Sequence, residues 1–142
     1  MQRDGAVLLV ASRYPNLPEA LWHLPGGRPT REELLGAALE REYREETGLA
    51  VAIGPLLYAS ESFDGATGTH VLNLTFEVHA DGTPRIPQSD AHVVDVAWVP
   101  RDELAARIRA RVVREPLLAA LSGDPRRYFA FPEAGISVQF AD

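Results

Sequence analysis

The amino-acid sequence predicts one α/β domain, an α/β/α sandwich in which helices flank both faces of a mixed β-sheet. Three observations predict this class. The chain has 142 residues, of which 46% are hydrophobic and 24% charged, enough to bury one core. Short apolar runs of strand length alternate with segments whose apolar residues recur every three or four positions. Turns rich in glycine, proline and aspartate separate these segments, so residues 1–142 are expected to form a single domain.

The strands are expected where apolar residues run between turn signals. An Asp-Gly turn at residues 4–5 precedes the first run, and a turn at 64–68 separates two segments that are expected to form a hairpin. An alternating pattern near the C-terminus predicts a last strand. The predicted strands are 6–11, 21–24, 51–53, 56–60, 70–79, 93–99 and 136–140, and the predicted helices are 30–47, 101–111 and 115–121.

The segment from Thr30 to Gly48 has the clearest helical pattern. Thr30 is a good N-cap, and Glu33 three residues later completes a capping box. Gly48 is placed to end the helix because glycine adopts the left-handed C′ conformation at little cost. Apolar residues with helical spacing predict one buried face, formed by Leu34, Leu35, Ala38, Leu39 and Tyr43.

Three glutamates extend this apolar face. Glu42, Glu45 and Glu46 lie at positions i, i+3 and i+4, so on a helix they fall within about 100° of arc. Charges turned toward a core are costly unless something neutralises them, and Mg²⁺ is bound by carboxylate oxygens and substrate phosphates. The trio therefore predicts a metal site. The alternative, a solvated charged face, suits Glu32 and Glu40 better.

Residues 27–49 resemble the Nudix box, G-x5-E-x7-R-E-U-x-E-E-x-G-U, where U is a bulky aliphatic residue. Two positions depart from the usual pattern: Tyr43 stands where an aliphatic residue is usual, and Glu32 stands where a glycine commonly precedes the first glutamate. The resemblance implies the Nudix α/β/α fold. It also implies hydrolysis of a nucleoside diphosphate linked to another group, with Mg²⁺ or Mn²⁺ as the cofactor and water as the nucleophile.

The resemblance also implies the roles of the box residues. Glu45 and Glu46 correspond to the principal metal ligands, supported by Glu42 and the carbonyl of Gly26. Arg41 corresponds to the arginine that orients the carboxylates, through a salt bridge with Glu33.

The general base is left open between two sites. One is within the box, where Glu42 or Glu45 would serve. The other is the loop at 87–92, because family members often carry a glutamate six residues before the tryptophan that is Trp98 here. His92 stands at that position, and Asp90 lies two residues earlier.

The substrate is expected to be a small nucleotide. Trp22 is preferred over Tyr14, Phe63 and Phe129 for stacking on a nucleobase, and Arg13 and Arg28 are candidates to contact phosphate oxygens. Segments typical of the ADP-ribose, diadenosine polyphosphate, NADH and coenzyme A branches are not evident, so nucleoside triphosphates and nucleotide sugars both stay open. The alternative function is a non-catalytic Nudix-like domain that binds a nucleotide as a sensor.

Composition limits the classes of partner that the chain is expected to bind. The formal net charge of −6 argues against nucleic acid, and the lack of cysteine excludes disulfides and thiolate metal sites. No apolar run reaches membrane-spanning length and no signal-peptide pattern opens the chain, so a soluble cytoplasmic protein without membrane contact is expected. Family members usually have a strand before the one at residue 6. The C-terminal strand, or a partner chain in a homodimer, is expected to take that place.

Overall fold

A computed structural model describes residues 1–86, 88 and 92–139 of the chain. The strands and helices alternate along the chain as an α/β protein. In chain order they are β1 (Gln2–Arg3), β2 (Ala6–Ser12), β3 (Leu21–His23), α1 (Leu35–Thr47), β4 (Ala52–Asp64), β5 (Thr69–His79), β6 (Val93–Pro100), a 3₁₀ turn (Arg101–Glu103), α2 (Leu104–Arg107), α3 (Arg111–Leu121) and β7 (Tyr128–Phe131).

The first sheet is built around β2. Strand β6 runs antiparallel along the whole of one edge of β2, while β1 and β3 share the other edge, one at each end. The β2 strand is a nearly continuous buried run, as expected of a strand that is covered on both faces.

The second sheet has the order β5-β4-β7. The predicted hairpin is confirmed, because β4 and β5 pair antiparallel from the 64–68 turn outward, and β7 adds to the other edge of β4 in parallel. The second sheet is therefore mixed. Within the described part of the chain, β5 is its outer strand, and β4 carries bulges near Leu56 that bend it.

The helices lie on opposite sides of the sheets. Successive residues of β2 point to opposite faces. Val7 and Leu9 pack with α2 and α3, whereas Leu8 packs with Tyr43 of α1 and Val78 of β5. A third cluster joins α3 to the second sheet through Tyr58 and the aromatic residues of β7. The predicted α/β/α layering is therefore present.

Both ends of the predicted strand order need correction. The N-terminal strand expected to be missing is present as β1, because Asp4 and Gly5 both adopt positive φ (51° and 76°), the conformation of a tight type I′ hairpin turn. The place beside β2 therefore requires neither a partner chain nor the C-terminus. The strand predicted at 136–140 is wrong for its described residues, 136–139, and the late strand is β7 instead.

Helix boundaries also differ from the sequence prediction, and α3 begins at Arg111, four residues before the predicted start at 115. Helix α1 begins at Leu35 and not after Thr30, because Glu32 has φ +65°, a left-handed conformation that interrupts a helix. Leu34 and Leu35 are consequently exposed. The helix predicted at 101–111 is a 3₁₀ turn followed by α2, and it stops at Ile108, whose backbone is extended. No helix among the described residues is both long and apolar enough to cross a membrane.

Candidate active site

Arg41 is the centre of the ion-pair network on α1. Its Nε and Nη2 donate to the two carboxylate oxygens of Glu33 at 2.9 and 3.0 Å. Its Nη1 donates to Glu42 at 2.9 Å and to Glu45 at 3.2 Å, and Nη2 also reaches the carbonyl of Arg28 at 3.1 Å. One guanidinium thus links the loop before α1, through Glu33 and the Arg28 carbonyl, to Glu42 and Glu45 of the helix. The pair with Glu33 is the one that the box resemblance implies.

Glu33 is held as a carboxylate from a second side. The backbone N–H of Thr30 donates to Glu33 Oε2 at 2.8 Å, and the Thr30 hydroxyl does so at 3.2 Å. The Arg41 guanidinium, and then the Thr30 N–H, lower the pKa of Glu33 to about 2. Half of the predicted capping box is therefore formed, although the helix itself starts two residues after Glu33.

Glu46 is a buried carboxylate, only 6% exposed. Its Oε2 accepts a hydrogen bond of 3.0 Å from the N–H of Gly26, which ties the turn before α1 to the last turns of the helix. The same glycine supplies the carbonyl that the sequence predicts as a metal ligand. A charge this deep requires a compensating partner.

Glu42 lies against the backbone of Gly27. A Cβ atom built on Gly27 would stand 2.3 Å from the Glu42 carboxylate, far inside van der Waals contact. The second glycine of the Pro-Gly-Gly turn is therefore required for space. The Glu42 side chain is 16% exposed, so it faces inward as the spacing predicts.

Glu45 departs from the prediction of three inward carboxylates. Its side chain is 48% exposed and lies at the rim. The buried face of α1 is centred on Tyr43, Glu46 and Thr47, and Glu45 lies on the far side of Glu42 from that face. Two carboxylates thus point inward, and the third borders solvent.

The donor set suits a hard divalent cation. Glu42, Glu45, Glu46 and the Gly26 carbonyl offer only oxygen, the ligand that Mg²⁺ and Mn²⁺ prefer. Across residues 1–86, 88 and 92–139, no group of three or more His, Cys, Asp or Glu side chains is arranged to hold a metal ion. Arg41 Nη1 instead bridges Glu42 and Glu45. The residues fit a metal by their chemistry, and Arg41 would have to release these two carboxylates to it.

A cleft of about 260 Å³ is lined by Arg13, Tyr14, Pro15, Leu17, Pro18, Glu19 and His92. Most of these residues belong to the loop between β2 and β3, which we call the cleft loop (residues 13–19). The Arg13 N–H donates to the His92 carbonyl at 2.8 Å, so two predicted residues meet here. Burial, and then the negative charge of Glu46, raise the pKa of Tyr14.

The remaining predicted residues lie elsewhere. Trp22 packs beside the core and has the Arg107 guanidinium over its ring at 5.0 Å, so its face is already covered. Arg28 is exposed and contributes its carbonyl to Arg41. Asp90 is outside the described residues.

Sequence reasoning missed His23. Its Nδ1–H donates to the Leu24 carbonyl at 2.7 Å, and the Ser12 hydroxyl donates to Nε2 at 2.8 Å. Burial lowers the pKa of this imidazole, so it is neutral and fixes the strand that leads into the glycine turn. A polar residue between Trp22 and Leu24 in an otherwise apolar run was the available signal.

Comparison with known proteins identifies relatives for most of the chain. A family model described as the NUDIX domain matches residues 1–121. Diphosphoinositol polyphosphate phosphohydrolase 2 from Rattus norvegicus is 39% identical over 74 residues, which are 52% of this chain and 39% of that protein. A putative 8-oxo-dGTP diphosphatase 2 from Mycobacterium tuberculosis is 34% identical over 110 residues, covering 69% of this chain and 75% of that protein.

Solved structures agree with the layered fold. A NUDIX hydrolase from Nitrosomonas europaea superposes with a TM-score of 0.76 at 25% identity, and the match covers 89% of this chain and 86% of that one. The predicted α/β fold is therefore confirmed. The chain spans 39% of the length of the rat protein, so the likeness to that protein is confined to one part of it.

Proposed function

The chain belongs to the NUDIX family, and we propose that it hydrolyses a pyrophosphate bond in a nucleoside diphosphate derivative, with Mg²⁺ or Mn²⁺ as the cofactor. The observation that carries this proposal is the pair of inward carboxylates, Glu42 and Glu46, with Glu46 tied to the glycine turn through the Gly26 N–H. The negative charge of Glu46 contributes to the raised pKa of Tyr14, a residue of the cleft, and we place the phosphate chain of the substrate between the cleft and the box carboxylates.

Charge explains why a metal is needed. The chain carries a formal charge of −6, and a pyrophosphate is itself strongly anionic, so direct approach to the carboxylates is repulsive. A divalent ion held by Glu42, Glu45 and Glu46 would neutralise the phosphoryl oxygens and lower the pKa of a bound water. The cleft adds the Arg13 guanidinium, which suits a phosphate oxygen.

The chain's own residues divide the remaining work. Arg41 holds Glu33 and orients the box carboxylates, and Gly26 holds Glu46 in place. We assign Glu45 as the general base among the box candidates, because its half-exposed carboxylate is open to an attacking water, whereas Glu42 lies against Gly27. His92 lies at the cleft, and its role there is limited in this proposal to lining the substrate.

The relatives narrow the substrate class. The rat protein is named for a diphosphoinositol polyphosphate and the mycobacterial one for 8-oxo-dGTP. Both compounds contain a phosphoanhydride. The mycobacterial relative is matched over more of its length, so we propose a nucleoside triphosphate or a closely related nucleotide as the substrate of this chain.

A substrate screen scored by product mass tests the proposal. The panel contains 8-oxo-dGTP, the common nucleoside triphosphates, nucleotide sugars and a diphosphoinositol phosphate, each in ¹⁸O-labelled water with Mg²⁺, Mn²⁺ or EDTA. We expect one compound to be cleaved only with metal, and the labelled product names the attacked phosphorus.

Variants separate the mechanism from a contaminating activity. Glu45→Gln and Glu46→Gln are each expected to lower kcat by about 10²- to 10⁴-fold, while Glu40→Gln, exposed on the same helix, leaves it unchanged. Turnover that survives both box substitutions would refute the mechanism. Nucleotide binding without turnover in any arm would favour the sensor alternative.

A further inference from the structure

The C-terminal segment, residues 134–139, is joined to the cleft loop by one side chain. Asn16 Nδ2 donates to the Ser137 carbonyl at 2.8 Å, and Asn16 Oδ1 accepts from the Gln139 N–H at 2.8 Å. The amide uses its donor and its acceptor on the same short stretch of backbone. This pattern requires asparagine, because aspartate lacks the donor.

The same segment is fastened to the tip of the β4–β5 hairpin. The Ser137 hydroxyl donates to Asp64 Oδ2 at 2.6 Å, and the Ala134 N–H donates to the Phe63 carbonyl at 2.8 Å. Asp64 also organises the hairpin turn, since its Oδ1 accepts from the Ala66 N–H at 2.9 Å. Residues 134–139 therefore link two parts of the chain that are far apart in sequence.

These hydrogen bonds act on local order more than on global stability. Those made by Asn16 are exposed, and exposed hydrogen bonds contribute little net free energy because water competes for both partners. What they can do is limit the excursions of the loop that they hold, since surface loops open locally at low cost. That loop lines the cleft on both sides of Asn16, with Tyr14, Pro15 and Leu17 as lining residues.

We propose that residues 134–139 hold the cleft loop in the shape that binds substrate, with Asn16, Ser137 and Asp64 as positioning residues that join this loop to the hairpin tip. The group held in place is the part of the substrate beyond the phosphates, a nucleoside in the proposed function on which this inference rests. The cleft loop is fixed at its start by Arg13 on His92, and Asn16 fixes its middle.

The test compares Asn16→Asp and Ser137→Ala with the wild type, using 8-oxo-dGTP as the probe. Asn16→Asp keeps the shape but sets a carboxylate oxygen against the Ser137 carbonyl, and Ser137→Ala removes the contact with Asp64 without changing charge. Asn73→Asp, exposed on β5, is the control for the added negative charge. Steady-state kinetics and hydrogen exchange of the cleft loop, with and without Mg²⁺ and the probe, are measured on each protein.

We expect both variants to raise KM by about 3- to 10-fold with kcat nearly unchanged, the result of losing one or two hydrogen bonds that serve binding alone. Exchange at residues 14–19 should quicken, and protection by the probe should weaken, while strands β2 and β6 stay as in the wild type. The control should match the wild type in both measurements.

Two results would overturn the inference. Unchanged KM in both variants, whether or not exchange of the cleft loop becomes faster, would do so and leave the proposed hydrolysis standing. If the wild type neither cleaves the probe nor protects residues 14–19 with it, both the inference and the proposed substrate fail. If the probe protects residues 14–19 of the wild type without being cleaved, and this protection is lost in Asn16→Asp, the inference is supported and the proposed hydrolysis is refuted.

Discussion

Replacing Glu46 with glutamine tests the metal site through stability. Glu46 is buried, and the carboxylate of Glu42 lies one turn away on the same helix. Glutamine has nearly the same size as glutamate and removes the repulsion between like charges at i and i+4, which is about 0.2–0.5 kcal/mol. Glutamine keeps an acceptor for the Gly26 N–H and loses about 1 kcal/mol of charge assistance. In EDTA we therefore expect the two proteins to differ by less than about 1 kcal/mol.

Magnesium should separate the two proteins. Free Mg²⁺ at about ten times its Kd stabilises the wild type by RT ln 11, about 1.4 kcal/mol. For a chain of 142 residues that is a rise in Tm of about 3–6 °C. The glutamine variant has lost one ligand, so its Tm should hardly respond to the ion. The Tm of the wild type is therefore expected to rise above that of the variant as Mg²⁺ is added.

Thermal unfolding followed by circular dichroism, in EDTA and across a Mg²⁺ titration, measures both effects. Glu40→Gln, exposed on the same helix, is the matched control and should keep the full response of the wild type to Mg²⁺. A purely structural Glu46 would behave in the opposite way. Its removal would lower Tm in EDTA and leave the Mg²⁺ response intact, and that outcome would refute the reasoning.

Two further predictions concern the turn before α1. Glu32→Gly should raise the free energy of unfolding by up to about 1 kcal/mol in urea titrations. The reason is that glycine adopts the left-handed backbone at φ +65° without strain, and this gain exceeds the cost of the extra entropy of the unfolded chain. A lower free energy of unfolding would contradict this. Gly27→Ala should lower kcat/KM by about 100-fold, because its Cβ would displace the Glu42 carboxylate. Gly36→Ala, where a Cβ meets nothing within 4 Å, should retain wild-type activity.

The box residues could be located from the sequence because their contacts are local. Arg41, Glu33 and Glu42 lie within nine residues of one another, so short chain segments bring them together, although Glu33 precedes the helix. The spacing of the glutamates did not determine where the buried face of α1 ends. Glu45 is exposed because the packing of Tyr43 and Glu46 against the sheets sets that boundary, and those contacts are made across the fold.

The cleft could not be predicted from the sequence, since it depends on contacts between distant segments. Arg13 meets His92 only because β6 runs the length of β2, and Asn16 meets Ser137 only because the last described residues cross to the hairpin tip. The alternation at 136–140 predicted a strand that is not formed over 136–139, and no strand was predicted at the position of β7. The buried pair Phe129 and Phe131 gives β7 the larger apolar area against α3, which explains why β7 is the strand beside β4.

The two edges of the Arg41 guanidinium have different roles, and acid titration of Arg41→Lys separates them. The Nε–Nη2 edge holds Glu33 bidentately, while Nη1 serves Glu42 and Glu45. An ammonium group is a point charge and cannot keep the bidentate pair. The pKa of Glu33 falls from 4.5 to about 2 beside Arg41, so its contribution to stability is present above pH 4.5 and is lost as the pH falls toward 2.

With lysine at position 41 the pKa of Glu33 should return toward its ordinary value, so the variant should be less stable than the wild type at pH 7 and should lose less stability as the pH falls below 4.5. Urea unfolding at pH 7, 4 and 3 measures this, and Arg44→Lys, exposed on the same helix, should follow the wild type. Parallel acid curves for Arg41→Lys and the wild type would show that Glu33 does not depend on the bidentate edge. Glu42 and Glu45, the carboxylates on the Nη1 side, are the ones that a metal would take, so the Mg²⁺ response of Tm should be preserved in Arg41→Lys even though the contribution of Glu33 is lost.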